Sequence, residues 1–218
     1  MTLTLVSDIR RACPAARTDR QLVTQATAWL AEAIAAGIDI IQLREHDLAA
    51  STLRDLTRNV VSLCDGAPTK VLVNNRADVA LVAGAHGVHL RDDPWPAIRV
   101  RALHPAWIIG RSVHDETNVT AADTIDFVVF GAVFGSAGKP ARGLDALRAL
   151  VGASPVPVVA IGGITVDNAP LVLAAGAVGV AAISLFLPEG AAAGAVGAAQ
   201  AVSRLRGAAG NVYSWKVQ

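Results

Sequence analysis

Aromatic residues are scarce in this chain: phenylalanine, tyrosine and tryptophan make up only 4% of its 218 residues. Alanine, valine, leucine and glycine fill their place, a composition suited to a tightly packed globular domain and not to a disordered chain. Charge of one sign is not in excess, with 19 Lys and Arg against 18 Asp and Glu. That balance argues against an electrostatic grip on nucleic acid or on an anionic membrane. Cysteine is nearly absent. Cys13 and Cys64 have neither metal-ligand nor CxxC spacing, so buried or free thiols are expected. No run reaches the ~18 apolar residues a membrane helix needs, because Gly, Pro or a charge interrupts each one. The opening MTLTLVSDIR lacks the apolar core of a signal peptide. These absences together predict a cytoplasmic protein with no membrane and no nucleic-acid partner.

What is present is alternation. Short apolar runs read as strands buried on both faces: Leu3–Val6, Ile38–Leu43, Val71–Val73, Val88–Leu90, Trp107–Ile109, Phe127–Phe130, Val158–Ile161 and Gly179–Ile183. Helical segments follow them, at Gln21–Ala36, Thr52–Leu63, Asp78–Ala83, Ala97–Leu103, Thr117–Ala122, Asp145–Val151, about Asp167–Ala174 and Gly190–Leu205. Gly37, Gly84 and Gly176 stand where helices should stop. Alternation of this kind implies a parallel sheet with right-handed crossovers, and eight units imply closure. The expected fold is α/β, a single (β/α)8 TIM barrel over residues 1–206, with 207–218 a peripheral tail. The length is close to the roughly 250 residues typical of that fold. Apolar helix faces on this Ala- and Val-rich chain would permit a homodimer.

Polar residues collect after the strands, on the face where such barrels carry their chemistry. Gln42 and Arg44 alternate with Leu43, so both should face the barrel mouth while Leu43 packs against helices. An ion pair of Arg44 with Glu45 or Asp47 is the plainer alternative. Asn74, Ser112, Ser136 and Lys139 lie at later strand ends. Lys139 sits in a loop with Gly131, Gly135 and Gly138, which suits closure over an anion, or else leaves a mobile surface lysine. His114 is placed to carry a proton, since imidazole titrates near neutrality. His89, next to Leu90 within a strand, reads as a hydrogen-bonded core residue.

The stretch from Val158 to Ser184 is the most telling. Its strand ends in Gly162 and Gly163, which leave backbone N–H groups open to a phosphate. Ile183 and Ser184 end the next strand. Gly-Gly and Ser on adjacent strand ends are the phosphate pocket expected of the last two units of such a barrel.

Six segments in order, IIQLRE (40–45), NNRADVAL (74–81), GVHL (87–90), IIGRSVH (108–114), DFVVFGAVFGSAGK (126–139) and VVAIGGI (158–164), resemble the thiamine phosphate synthase/TenI family. The resemblance implies a (β/α)8 barrel acting on a thiazole phosphate. Two activities share it. Synthases join thiazole phosphate to hydroxymethylpyrimidine diphosphate and release diphosphate, with Mg²⁺ held by carboxylates. TenI-type proteins shift a proton on the thiazole phosphate carboxylate, without metal.

Against the synthase pattern, the sequence departs at several positions. The synthase Q-x-R-x-K keeps Gln42 and Arg44 but has His46 for Lys. N-D-R is Asn74, Asn75, Arg76, so an amide replaces a metal carboxylate. H-L-G-Q-x-D keeps His89 and Leu90, but Arg91 and Asp92 replace Gly and Gln, and Pro94 takes the ligand position. The loop T-x-T/S-K keeps Ser136 and Lys139 but loses a hydroxyl. Gly162, Gly163, Ile183, Ser184 and Ser112 match, and His114 matches the tautomerase proton carrier. The resemblance therefore predicts a thiazole tautomerase with His114 and Lys139 catalytic and no cofactor. Its alternative is a synthase using Mg²⁺ through Asp92 or Asp93, and a further one is a non-catalytic thiazole phosphate binder.

Overall fold

In the computed structural model, which describes residues 1–91, 96–114, 124–136, 138 and 140–209, eight parallel strands close into a barrel in chain order. The strands are β1 (Thr2–Val6), β2 (Ile40–Leu43), β3 (Lys70–Asn74), β4 (Gly87–Leu90), β5 (Ile108–Val113), β6 (Phe127–Gly131), β7 (Val158–Ile161) and β8 (Gly179–Ala182). The (β/α)8 expectation is met. Each strand is buried on both faces, as a parallel strand covered by helices must be.

The helices among the described residues are α1 (Ile9–Ala12), α2 (Asp19–Ala35), α3 (Ala50–Leu63), α4 (Ala77–Ala83), α5 (Ala97–Leu103), α6 (Gly143–Ala153), α7 (Ala169–Ala174) and α8 (Ala198–Ala209). The reasons for their ends are local. Thr18 caps α2 by accepting the Gln21 N–H at 3.2 Å. Beyond its C-terminus Gly37 takes a left-handed φ of 86°, and the N–H groups of Gly37 and Ile38 close onto the carbonyls of Ile34 and Ala33. Gly84 and Gly176 close α4 and α7 in the same pattern.

Two apolar shells result from the period-2 alternation of the strands. Leu3, Leu5, Ile41, Leu43, Val71 and Val73 pack outward beneath the helices. Val6, Ile40, Leu72, Ile108, Phe127, Val129, Val159 and Ala181 fill the barrel interior. Those inward positions continue upward into Gln42, Asn74, His89 and Ser112, so the top of the barrel turns polar without leaving the sheet. Cys13 and Cys64 are buried free thiols.

The structure differs from expectation at several element ends, and it adds the short helix α1. β5 extends past the apolar run Trp107–Ile109 to Val113, so Gly110, Arg111 and Ser112 are residues of the strand. The last helix begins at Ala198 and not near 190, because Gly190, Gly194 and Gly197 all hold positive φ, which a right-handed helix cannot accommodate. It continues to Ala209, across the expected barrel limit at residue 206. There Arg206 donates to Asp39 Oδ2 at 2.6 Å, tying α8 to the base of the barrel. The helix expected at Thr117–Ala122 lies outside the described residues.

Candidate active site

The mouth of the barrel is built from the C-terminal strand ends. On one side, Gln42 and Asn74 are buried, and Gln42 Nε2 donates to Asn74 Oδ1 at 3.1 Å. Next to them His89 Nε2 lies 2.9 Å from Ser112 Oγ. His89 is 2% exposed and neutral, its pKa pushed down to about 3 by burial and by the nearby Arg44 charge. The expectation of a hydrogen-bonded core histidine is met, and its partner is Ser112. His114 follows β5 and is half-buried, with Nδ1 3.2 Å from the Gly131 carbonyl. A carbonyl can only accept, so Nδ1 carries a proton in that contact.

On the opposite side Gly162 and Gly163 turn the chain out of β7 with φ of 96° and 67°. A Cβ on Gly162 would overlap the Cα and Cβ of Ala132, and one on Gly163 would meet the Gly135 carbonyl oxygen at 2.5 Å. Only glycine fits this turn. The loop after β6 is laced to it, since Phe134 N–H donates to the Gly162 carbonyl at 3.0 Å. Asn168 holds it from below, donating through Nδ2 to the Gly163 carbonyl at 2.8 Å and accepting from Thr165 N–H at 2.8 Å. Asn168 is thus the N-cap of α7 by position, but it spends its side chain on the turn and not on the helix. Ile183 leads from the neighbouring β8 into a 3-10 turn, Ser184–Phe186. Ser184 Oγ accepts from Arg11 Nη2 at 3.3 Å.

Two residues at this face were not singled out from sequence. Arg11 brings a guanidinium to the Gly-Gly/Ser end from 173 positions away in the chain. Glu45 is the other. Its carboxylate accepts from Ser7 Oγ and lies 3.3 Å from the Ile9 N–H at the start of α1. Ser7 Oγ in turn accepts the Arg44 N–H at 2.9 Å. Burial pushes the Glu45 carboxyl up to about 7, against the lowering effect of the Ser7 and Ile9 hydrogen bonds.

Arg44 is exposed at the rim. Neither expected ion pair forms among the described residues: Asp47 pairs with Arg10, and Glu45 is engaged by Ser7. Arg44 and Arg91 instead face His46, whose pKa is lowered by burial and then by these two charges. Ser136 is exposed, while Lys139, Asp92 and Asp93 lie outside the described residues.

The rim near Asn75 bears on metal binding. Asn75 holds a left-handed φ of 56°, and its Oδ1 accepts the Arg91 N–H at 2.9 Å. An amide already in use, bordered by arginines, is a poor anchor for a hard divalent cation. Among the described residues no group of three or more His, Cys, Asp or Glu side chains could hold a metal ion. Asp92 and Asp93, the carboxylates expected to hold Mg²⁺ in a synthase, lie outside the described residues.

Residues 15–186 match the family described as thiamine monophosphate synthase. The chain belongs to that family. It is 42% identical over 187 residues to a thiamine-phosphate synthase of Anaeromyxobacter dehalogenans, covering 81% of this chain and 84% of that one. It is 40% identical over 182 residues to a thiamine-phosphate synthase of Moorella thermoacetica, covering 80% and 83%. A solved structure of a thiamine phosphate pyrophosphorylase from Pyrococcus furiosus superposes with a TM-score of 0.79 at 30% identity, covering 95% of both chains. Membership places the chain in thiamine biosynthesis and agrees with the resemblance carried by its motifs. No helix among the described residues is long and apolar enough to cross a membrane.

Proposed function

We propose that the chain is a thiamine-phosphate synthase that joins thiazole phosphate to hydroxymethylpyrimidine diphosphate. The observation that carries this reading is the likeness, across about four-fifths of the chain, to relatives bearing the synthase name. The geometry supports it from the site outward. The Gly162–Gly163 turn and Ser184, with Arg11 alongside, form an anion cup for the thiazole phosphate. The opposite wall of Gln42, Asn74 and Ser112 offers amides and a hydroxyl to a polar heteroaromatic ring. In the reaction the thiazole nitrogen bonds to the pyrimidine methylene carbon, and the bond from that carbon to diphosphate oxygen breaks. Diphosphate leaves with the electron pair, facing the guanidinium groups of Arg44 and Arg91. Every bond made or broken lies between the two substrates, so the residues' work is binding, orientation and charge stabilisation.

One observation favours the tautomerase as a second reading: Asn75 is neutral where synthases carry a carboxylate. In that reading His114 moves the proton through Nε2 while Gly131 holds Nδ1. One pair of assays separates the two. The synthase reading expects thiamine phosphate and diphosphate from the two substrates. Conversion of the carboxylated thiazole phosphate tautomer alone, lost in His114→Gln, would replace it with the tautomerase. Neither product would overturn both readings.

A further inference from the structure

The pairing of His89 with Ser112 has a direction that the surroundings settle. The buried, neutral His89 ring carries one N–H. Its Nε2 faces Ser112 Oγ at 2.9 Å, while its Nδ1 is buried with no hydrogen-bond partner. Nδ1 lies beside Gly110, on the side of the barrel interior where the Phe127 ring packs. A Cβ built on Gly110 would lie 2.7 Å from Nδ1 and 2.5 and 2.8 Å from Phe127 Cζ and Cε1. The two rings are tilted by 46° with centroids 6.1 Å apart.

A proton on Nδ1 would bury an unpaired donor, and orphaned buried N–H groups are rarer in native proteins than under-satisfied acceptors. A bare lone pair at Nδ1 leaves no donor unpaired. The proton then resides on Nε2 and is donated to Ser112 Oγ.

We propose that His89 holds the Nε2–H tautomer and, as a positioning residue, leaves the Ser112 hydroxyl proton free to be donated into the barrel mouth. The ligand atom meeting Ser112 is then a hydrogen-bond acceptor, such as a ring nitrogen or a carboxylate oxygen. A ligand offering only a donor there would forfeit that bond. The ligand part of this inference rests on the proposed function; the tautomer does not.

The tautomer is read on the full chain carrying ¹⁵N-histidine, without substrate, in a long-range ¹H–¹⁵N correlation spectrum at neutral pH. The expected pattern for His89 is a protonated Nε2 and a bare Nδ1. A protonated Nδ1, or a doubly protonated ring, would overturn the proposal. The His89→Gln variant assigns the signal. Should it fail to fold, Gln variants of His46, His86, His104 and His114 assign it by elimination. Binding of thiazole phosphate gives the second readout. His89→Leu should weaken it about tenfold, the effect of one misdirected hydrogen bond. His89→Gln, which restores a donor near Nε2, should recover most of that loss, and an equal loss in both variants would contradict the positioning role. Failure of thiamine phosphate synthesis would leave the tautomer result standing, so the two readings fail separately.

Discussion

Replacing Gly162 by alanine should loosen the proposed phosphate cup and lower stability by an amount that a second glycine calibrates. Gly84 and Gly162 both hold positive φ, 72° and 96°. A Cβ on Gly84 meets nothing within 4 Å. Gly84→Ala therefore carries the left-handed backbone penalty alone, about 1–2 kcal/mol. At Gly162 the added methyl overlaps the Cα and Cβ of Ala132, which belong to a laced loop and not to a flexible side-chain end. Overpacking of that kind adds about 1–3 kcal/mol. For a chain of this size each kcal/mol shifts Tm by about 2–4 °C. Gly162→Ala should thus melt roughly 10 °C below the parent, and Gly84→Ala roughly 4 °C below. Thermal and urea unfolding of the three proteins measure the difference. Calorimetric titration with thiazole phosphate should show weaker binding for Gly162→Ala and parental binding for Gly84→Ala. Equal stability losses in the two variants, or parental phosphate affinity in Gly162→Ala, would refute the account of the turn.

Two further outcomes follow from the site. Asn168→Ala removes the hold on the Gly163 carbonyl, so thiazole phosphate affinity should fall several-fold while Tm drops by less than in Gly162→Ala. Glu45 makes stability depend on pH. Its folded pKa of about 7 stands above the ordinary 4.5, so between those values the folded chain binds a proton the unfolded chain lacks. Its contribution is full below 4.5 and is lost as pH rises through about 7, to the extent of about 3 kcal/mol at most. Glu45→Gln should flatten the change in urea midpoint between pH 5 and pH 8, and an unchanged slope would assign it to other groups.

The barrel was legible because each strand is a short apolar run followed by polar residues, a pattern dictated by burial on both faces. β5 was read short because Gly110 interrupts its apolar run. In the folded chain that glycine is what allows His89 and the Phe127 ring to meet. The onset of α8 was misread because the Ala-rich composition of 190–197 suggests helix, while three positive-φ glycines forbid it. Gly162, Gly163 and Ser184 could be found from local spacing. Glu45 and Arg11 could not, since their roles come from contacts 38 and 173 positions away in the chain. The substitution Asn75 was visible and pointed to tautomerisation. The names of the relatives point to condensation instead, and a carboxylate count at one rim does not outweigh likeness over most of the chain.

The most direct test of the central claim is product formation by the purified full chain. With thiazole phosphate, hydroxymethylpyrimidine diphosphate and Mg²⁺ supplied, the account predicts thiamine phosphate and diphosphate in equal amounts, lost in Arg44→Ala. Absence of thiamine phosphate under these conditions, with the carboxylated thiazole phosphate tautomer converted instead, would contradict it.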